Sequence, residues 1–259
     1  LVPGLLDSLW LVPLGFVAGV LGSMIGLGGG FVIVPSLTFV GFSPTLAASD
    51  SLFAAFCNAV ASTFSYARQR RIVYSLGIKL ALLSIPGTVL GAYISDEIAA
   101  STFKLLFGMV LVASSVYIYS RRKMEPREYN LSKQMMVLAV GASFFAGIIS
   151  SLFGIGGGTV FVPLMVVAMG LAMKLAAPTS QFILMFAAAS GMVVHSMLGH
   201  PNYMEAGLLS AGAFAGGIVG SRISLRVSES KLRILVTAIL AITSAKLFMD
   251  AFNTPAKTH

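Results

Sequence analysis

Between Lys133 and Lys174 the chain carries no Asp, Glu, Lys or Arg, and between Lys174 and Glu205 the only candidates for ionisation near neutral pH are His195 and His200. Uncharged runs of that length exceed the roughly 20 apolar residues that cross a bilayer. No water-soluble core accommodates them, so the expected fold class is an all-α polytopic membrane protein. Composition agrees: 57% of the 259 residues are hydrophobic and 10% charged, with a mean hydropathy of +0.92, whereas a soluble domain carries about 25% charge. The net charge of +8 does not indicate a nucleic-acid partner. Its cations stand in short clusters beside apolar segments, where they orient the spans. One cysteine, Cys57, excludes an internal disulfide or a cysteine metal cluster. The first apolar segment has no basic flank, so no cleavable leader is expected.

The chain is written twice. GSMIGLGGGFVIVP at 22–35 returns as SSLFGIGGGTVFVP at 150–163, an offset of 128. After one inserted residue the offset is 129: GFSPTLAASDS (41–51) lies over GLAMKLAAPTS (170–180), and GTVLGAYIS (87–95) over GGIVGSRIS (216–224). Each copy reads as five helical segments, the second of them short and opened by glycines. They are expected near 9–26, 31–42, 46–66, 72–94 and 102–120, and again near 134–153, 159–170, 175–198, 206–222 and 232–251. The organisation is a first transmembrane repeat over 1–120, a basic cytoplasmic linker over 121–133 and a second repeat over 134–259. The short segment, at about 1.5 Å per residue, cannot span a hydrocarbon core of about 30 Å.

Charge sets the relative orientation of the repeats. Arg68, Arg70 and Arg71 follow the third segment of the first copy, where the second copy has only His200 and Glu205. After the fourth segment the bias reverses: Asp96 and Glu97 in the first copy match a stretch with Arg222, Arg226, Lys231 and Arg233 in the second. Arg121, Arg122, Lys123, Arg127 and Lys133 join the halves. If basic loops are cytoplasmic, equivalent loops lie on opposite faces. The repeats are then inverted, with both termini outside. Two arrangements fit: five crossings per half with a short or broken second helix, or three crossings plus a re-entrant hairpin.

Glycines that break a helix at membrane depth expose backbone N–H groups, tolerated only inside protein or beside a cavity. At a helix start those groups and the positive end of the dipole suit an anion, and inverted repeats can aim two such ends at one central site. Gly28, Gly29 and Gly30 with Gly156, Gly157 and Gly158 are therefore the expected substrate cradle. Ser49, Asp50 and Ser51, and the matching Thr179, Ser180 and Gln181, add polar groups beside it. Helix packing is the competing role for such glycines, and capping for Ser49 and Thr179. Asn58 and His195 lie deeper in their segments, where polar residues are functional candidates. His195 is a candidate proton relay. No metal-ligating constellation, cofactor motif, paired carboxylates or nucleophile with a base is present, so the chain is not read as an enzyme.

The paired GxGGGxxxxP motifs, the stretches LAASDS and LAAPTS, and the GxxxG segments resemble the TauE/SafE sulfite exporter family, also called the four-toluene sulfonate uptake permease family. The resemblance covers essentially the whole chain. It implies a bacterial or archaeal inner (plasma) membrane protein that moves sulfite, sulfoacetate or another sulfur-containing anion. Such a protein is a secondary transporter working by alternating access, with export the expected direction and a proton or sodium as possible coupling ion. A selective anion channel and a carriage of non-sulfur carboxylates are the alternatives. The family's Gly-Thr-Ser signature falls on Pro178, Thr179 and Ser180, and its first-half Thr-Ser on Asp50 and Ser51, so the chain departs from the pattern at two positions.

Overall fold

The computed structural model describes residues 8–120 and 133–253, and their regular structure is helical throughout. In the first half α1 spans Leu11–Ile25, α2 Gly30–Val40, α3 Pro44–Arg68, α4 Tyr74–Glu97 and α5 Ala100–Ser120. In the second, α6 spans Lys133–Phe153, α7 Gly158–Pro163, α8 Met173–Met197, α9 Tyr203–Arg226 and α10 Glu229–Asn253. Past Pro163 the chain widens into a π-helical stretch over Leu164–Ala168, whereas α2 stays α-helical through Pro35. Apart from Lys133 at the start of α6, the basic linker lies outside the described residues.

Local chemistry sets the ends of the long helices. α3 starts with Pro44 in its first turn, and the Ser43 hydroxyl accepts the Leu46 N–H at 3.4 Å. At the start of α9 the Asn202 side chain accepts the Met204 N–H at 3.3 Å. α3 and α8 stop alike: Arg70 and Gly199 take left-handed φ of 54° and 74°. The next N–H, of Arg71 or His200, then turns back to the carbonyl of Tyr66 or His195.

Packing crosses between the halves: α1 lies along α9 of the other half, and α6 along α4. Lipid is as apolar as leucine, so helices associate there by close van der Waals contact, which small residues permit. A Cβ on Gly15 or Gly19 would strike the backbone of Leu209 or Ala213, and one on Gly216 that of Phe16 and Val20. At the matching positions, Gly87 abuts the backbone of Phe144 and Ile148, and Gly147 that of Ser84 and Thr88. The outer surface is apolar, with Val137, Ile242 and Met197 exposed by 71%, 70% and 82%. α8, α9 and the stretch Tyr74–Ser95 are each long and apolar enough to cross a membrane.

The contacts also give directions. Asp50 meets Asn202, Phe53 meets Tyr203 and Tyr66 meets Ser224, so α3 and α9 run together. Arg71 meets Lys174 while Leu52 meets Gly191, so α3 and α8 run oppositely. One end of the molecule therefore holds the starts of α3 and α9 with His195 and His200. The other holds the starts of α4 and α8 with Arg68, Arg70 and Arg71. α1 runs parallel to α9, from Val12 beside Gly212 to Ser23 beside Gly220. α2 then returns to the start of α3, making α1 and α2 a hairpin that enters from the histidine end.

Candidate functional site

The two glycine loops meet at mid-height of α3 and α8. Gly26, Gly28 and Gly29 have φ of 82°, 81° and 92°, and Gly154, Gly156 and Gly157 have 67°, 73° and 78°. L-residues rarely adopt such values. Gly30 and Gly158 open α2 and α7 with ordinary φ, and there the constraint is space. A Cβ on Gly30 would meet the Gly154 carbonyl and Ile155, and one on Gly158 the Gly26 carbonyl and Leu27. Thus three glycines of each loop answer to backbone conformation and the fourth to the opposing loop. Ala55 and Leu184, themselves 129 positions apart, cover Gly28 and Gly156.

The polar side chains singled out from the sequence hold these loops. The Ser51 hydroxyl donates to the Gly154 carbonyl at 2.8 Å, and its counterpart Ser180 to the Gly26 carbonyl at 2.7 Å. Each therefore reaches from one half to the glycine loop of the other. Gln181 Nε2 donates to the Gly22 carbonyl at 2.8 Å and Asn58 Nδ2 to the Gly28 carbonyl at 3.2 Å. Their counterparts by the 129 offset are Leu52 and Ala187, so these two bonds belong to the first-half loop alone. Gln181 Oε1 and Asn58 Oδ1 stay buried with no hydrogen-bond partner among the described residues.

Asp50 and Thr179 do another job. Both are fully buried, and neither caps its own helix. Asp50 Oδ1 accepts the Asn202 N–H at 2.9 Å, at the start of α9. Thr179 Oγ1 accepts the Val73 N–H at 3.0 Å, at the start of α4, and donates to the Leu175 carbonyl at 2.7 Å. Ser49 bonds back to Leu46 at 2.9 Å within α3. Asp50, which could have faced water at a segment end, is instead sealed against α9.

His195 is fully buried despite lying two residues from the end of α8. Its Nε2 faces the Ser151 carbonyl at 3.2 Å and its Nδ1 faces His200 Nδ1 at 2.7 Å. A carbonyl only accepts, so Nε2 carries hydrogen in this contact. The counterpart of His195 is Tyr66, whose hydroxyl donates to the Ser23 carbonyl at 2.7 Å. The counterpart of His200 is Arg71, which donates to the carbonyl of Lys174, to Gln69 Oε1 and to Ser224 Oγ at 2.9, 3.1 and 3.1 Å. Arg71 also lies 5.2 Å from the centre of the Tyr66 ring. Sequence reading passed over Tyr66, Arg71 and His200, although the 129 offset pairs them, because the paired residues share no identity. It also passed over Ser150, Ser151 and Thr159, whose buried hydroxyls beside the second glycine loop have no hydrogen-bond partner among the described residues.

A buried pair of helix-opening glycine loops, each bound by a serine from the other half, is what the duplicated motif builds. The family model described as sulfite exporter TauE/SafE matches residues 11–247. The chain belongs to the TauE/SafE family. Among its relatives is the probable membrane transporter protein YunE of Bacillus subtilis, 31% identical, the alignment covering 93% of this chain and 97% of the relative. A probable membrane transporter protein of Methanocaldococcus jannaschii is 27% identical over 92% of this chain and 94% of its own length. YfcA of Escherichia coli K12, also named a probable membrane transporter protein, is 22% identical over 96% and 91%. This TauE/SafE chain is thus a membrane transporter by family, with relatives in bacteria and an archaeon.

Proposed function

We propose that this TauE/SafE protein is a secondary transporter of a small sulfur-containing anion, sulfite or an organosulfonate such as sulfoacetate, working in export. The carrying observation is the reciprocal meeting of the two glycine loops at the centre, each opening a short helix. In the first turn of a helix the leading N–H groups have no intrahelical acceptor, and α2 offers those of Gly29, Gly30 and Phe31 beside the positive end of its dipole. Ser51 and Ser180 spend their hydroxyl hydrogens, and Gln181 and Asn58 one amide N–H each, on backbone carbonyls, so the loops' own N–H groups are the anion's main partners. The buried Thr159 hydroxyl in the first turn of α7 is a further donor. Because Gly30 and Gly158 touch the opposite loop, admitting an anion requires the loops to part, and alternating access is the natural cycle.

In this reading the halves are inverted repeats, each contributing three crossings and a re-entrant hairpin; the opposed directions of α3 and α8 support it. The arginine end faces the cytoplasm and the histidine end the outside, with both termini outside, in the plasma membrane. His195, with His200, is the proton-binding element at the outer end, and a proton is the coupling ion.

Purified protein should gain thermal stability with sulfite, thiosulfate or sulfoacetate, because a ligand that binds only the folded state raises its stability. It should gain less with sulfate, zwitterionic taurine or acetate. In proteoliposomes, labelled substrate should show saturation and counterflow. A carboxylate that stabilises best would overturn the sulfur assignment, and current without counterflow would make the protein a channel.

A further inference from the structure

A groove of about 570 Å³ lies away from the glycine loops, between α3 and α9 toward the arginine end. Two stripes line it. Val60, Phe64 and Arg68 on α3, and Phe214, Ile218 and Arg222 on α9, each stand four residues apart and so share a helix face. Because α3 and α9 run in the same direction, both stripes read apolar, apolar, arginine toward the same end. The two guanidinium groups therefore come to the same mouth of an apolar trough. At that mouth the trough is also lined by Ser65 and Gln69, and none of its lining residues among those described is acidic. Phe64 and Phe214 are 68% and 45% exposed, so the trough opens on the outer apolar surface that faces lipid.

The repeat supplies an internal control. By the 129 offset the equivalent α8–α4 interface carries Ala189, Val193 and Met197 on α8 and Ile85, Val89 and Tyr93 on α4, with no cation. Helix packing alone therefore does not call for the two arginines: the charge bias between the ends favours cations here, and the trough brings one from each half to a single mouth.

We propose that the α3–α9 trough is a binding site for an anionic phospholipid of the leaflet at the arginine end. Its phosphate sits between Arg68 and Arg222, and an acyl chain lies along the two apolar stripes. Over the eight helical steps from Val60 to Arg68 the trough runs about 12 Å at about 1.5 Å per step, enough for the upper part of a chain. Paired guanidiniums suit a phosphodiester's geometry and charge, and basic pockets between membrane helices recognise anionic headgroups in this way.

The test titrates delipidated, purified protein with dioleoyl phosphatidylglycerol and reads thermal stability, with native mass spectrometry to count retained lipid. Wild type is expected to gain several degrees and hold one phosphatidylglycerol more tightly than phosphatidylcholine. The double variant Arg68→Gln/Arg222→Gln should lose most of that gain, while Arg226→Gln/Lys231→Gln, exposed cations outside the trough, should keep it. Equal stabilisation by phosphatidylcholine, or an undiminished gain in the Arg68/Arg222 variant, overturns the proposal. So does an arginine-dependent gain of the same size from glycerol 3-phosphate or sulfite, which would make the trough a vestibule for soluble anions. None of these outcomes depends on the substrate of the glycine loops.

Discussion

At the end of α3, Tyr66 donates to the Ser23 carbonyl and Arg71, five residues on, folds back over its ring. At the corresponding end of α8, His195 donates to the Ser151 carbonyl and His200, again five residues on, folds back to its Nδ1. The backbone is the same in both places: a helix stopped by a left-handed residue, with the next N–H returned to the aromatic residue's carbonyl. The chemistry differs. Arg71 is permanently charged and fastened to Lys174, Gln69 and Ser224. The histidine contact needs one ring nitrogen with a proton and one without. One end of the transporter is therefore tied by a fixed cation and the other by one hydrogen held between two imidazoles. The lesson is that the duplicated fold conserves geometry in its glycine loops and differentiates its two ends.

The strongest check on the shared geometry is at the loops. Gly30→Ala and Gly158→Ala should each cost about 2–3 kcal/mol, the scale of forcing extra atoms into packed structure, because both would drive a Cβ into the opposite backbone. Gly141→Ala, with nothing within 4 Å of its added Cβ, should leave the melting temperature in detergent unchanged. Tolerance at one loop and failure at the other would break the equivalence of the halves.

The difference between the ends predicts a second, smaller effect. Arg71→Leu removes three hydrogen bonds from a charged donor and should lower stability by about 2 kcal/mol; His200→Leu removes the contact to His195 Nδ1 and should cost about 1 kcal/mol. Chemical denaturation of both variants in one detergent gives the ranking. Equal losses would mean that the two ends are held alike.

Much of this was readable before the structure, and the reason is specific. The offsets of 128 and 129 found the segments because the loop glycines at 26, 28, 29 and 30 recur at 154, 156, 157 and 158, Gly41 at Gly170 and Pro35 at Pro163, and backbone constraints there leave little choice of residue. The functions of Ser51 and Ser180 were less readable. Their partners, Gly154 and Gly26, lie more than one hundred residues away in sequence, and only the crossing of the halves, α1 onto α9 and α6 onto α4, brings them together. A serine beside a glycine motif looks like a ligand donor until the carbonyl it satisfies is located. Tyr66 was hidden differently: His195 stands out in the sequence, but its counterpart is a phenol that does the same hydrogen bonding, and a search for identical residues does not pair the two.

The smallest effect concerns the one place where the halves share a backbone but not its best residue. Arg70 holds φ of 54° where the second half has Gly199 at 74°. A left-handed conformation costs an L-residue about 1 kcal/mol or more, while glycine adds unfolded-state entropy that offsets about 0.5–1 kcal/mol. Arg70→Gly should therefore stabilise the protein by no more than about 0.5 kcal/mol, and Gly199→Ala should destabilise it by about 1 kcal/mol. Both are measurable as shifts in denaturation midpoint. Arg70 is exposed, so removing its side chain takes away no packing, and the sign of the change reports on backbone strain. A clear loss of stability in Arg70→Gly would mean that the arginine end depends on the Arg70 charge as well as on Arg71, and would make that end the more heavily fastened of the two.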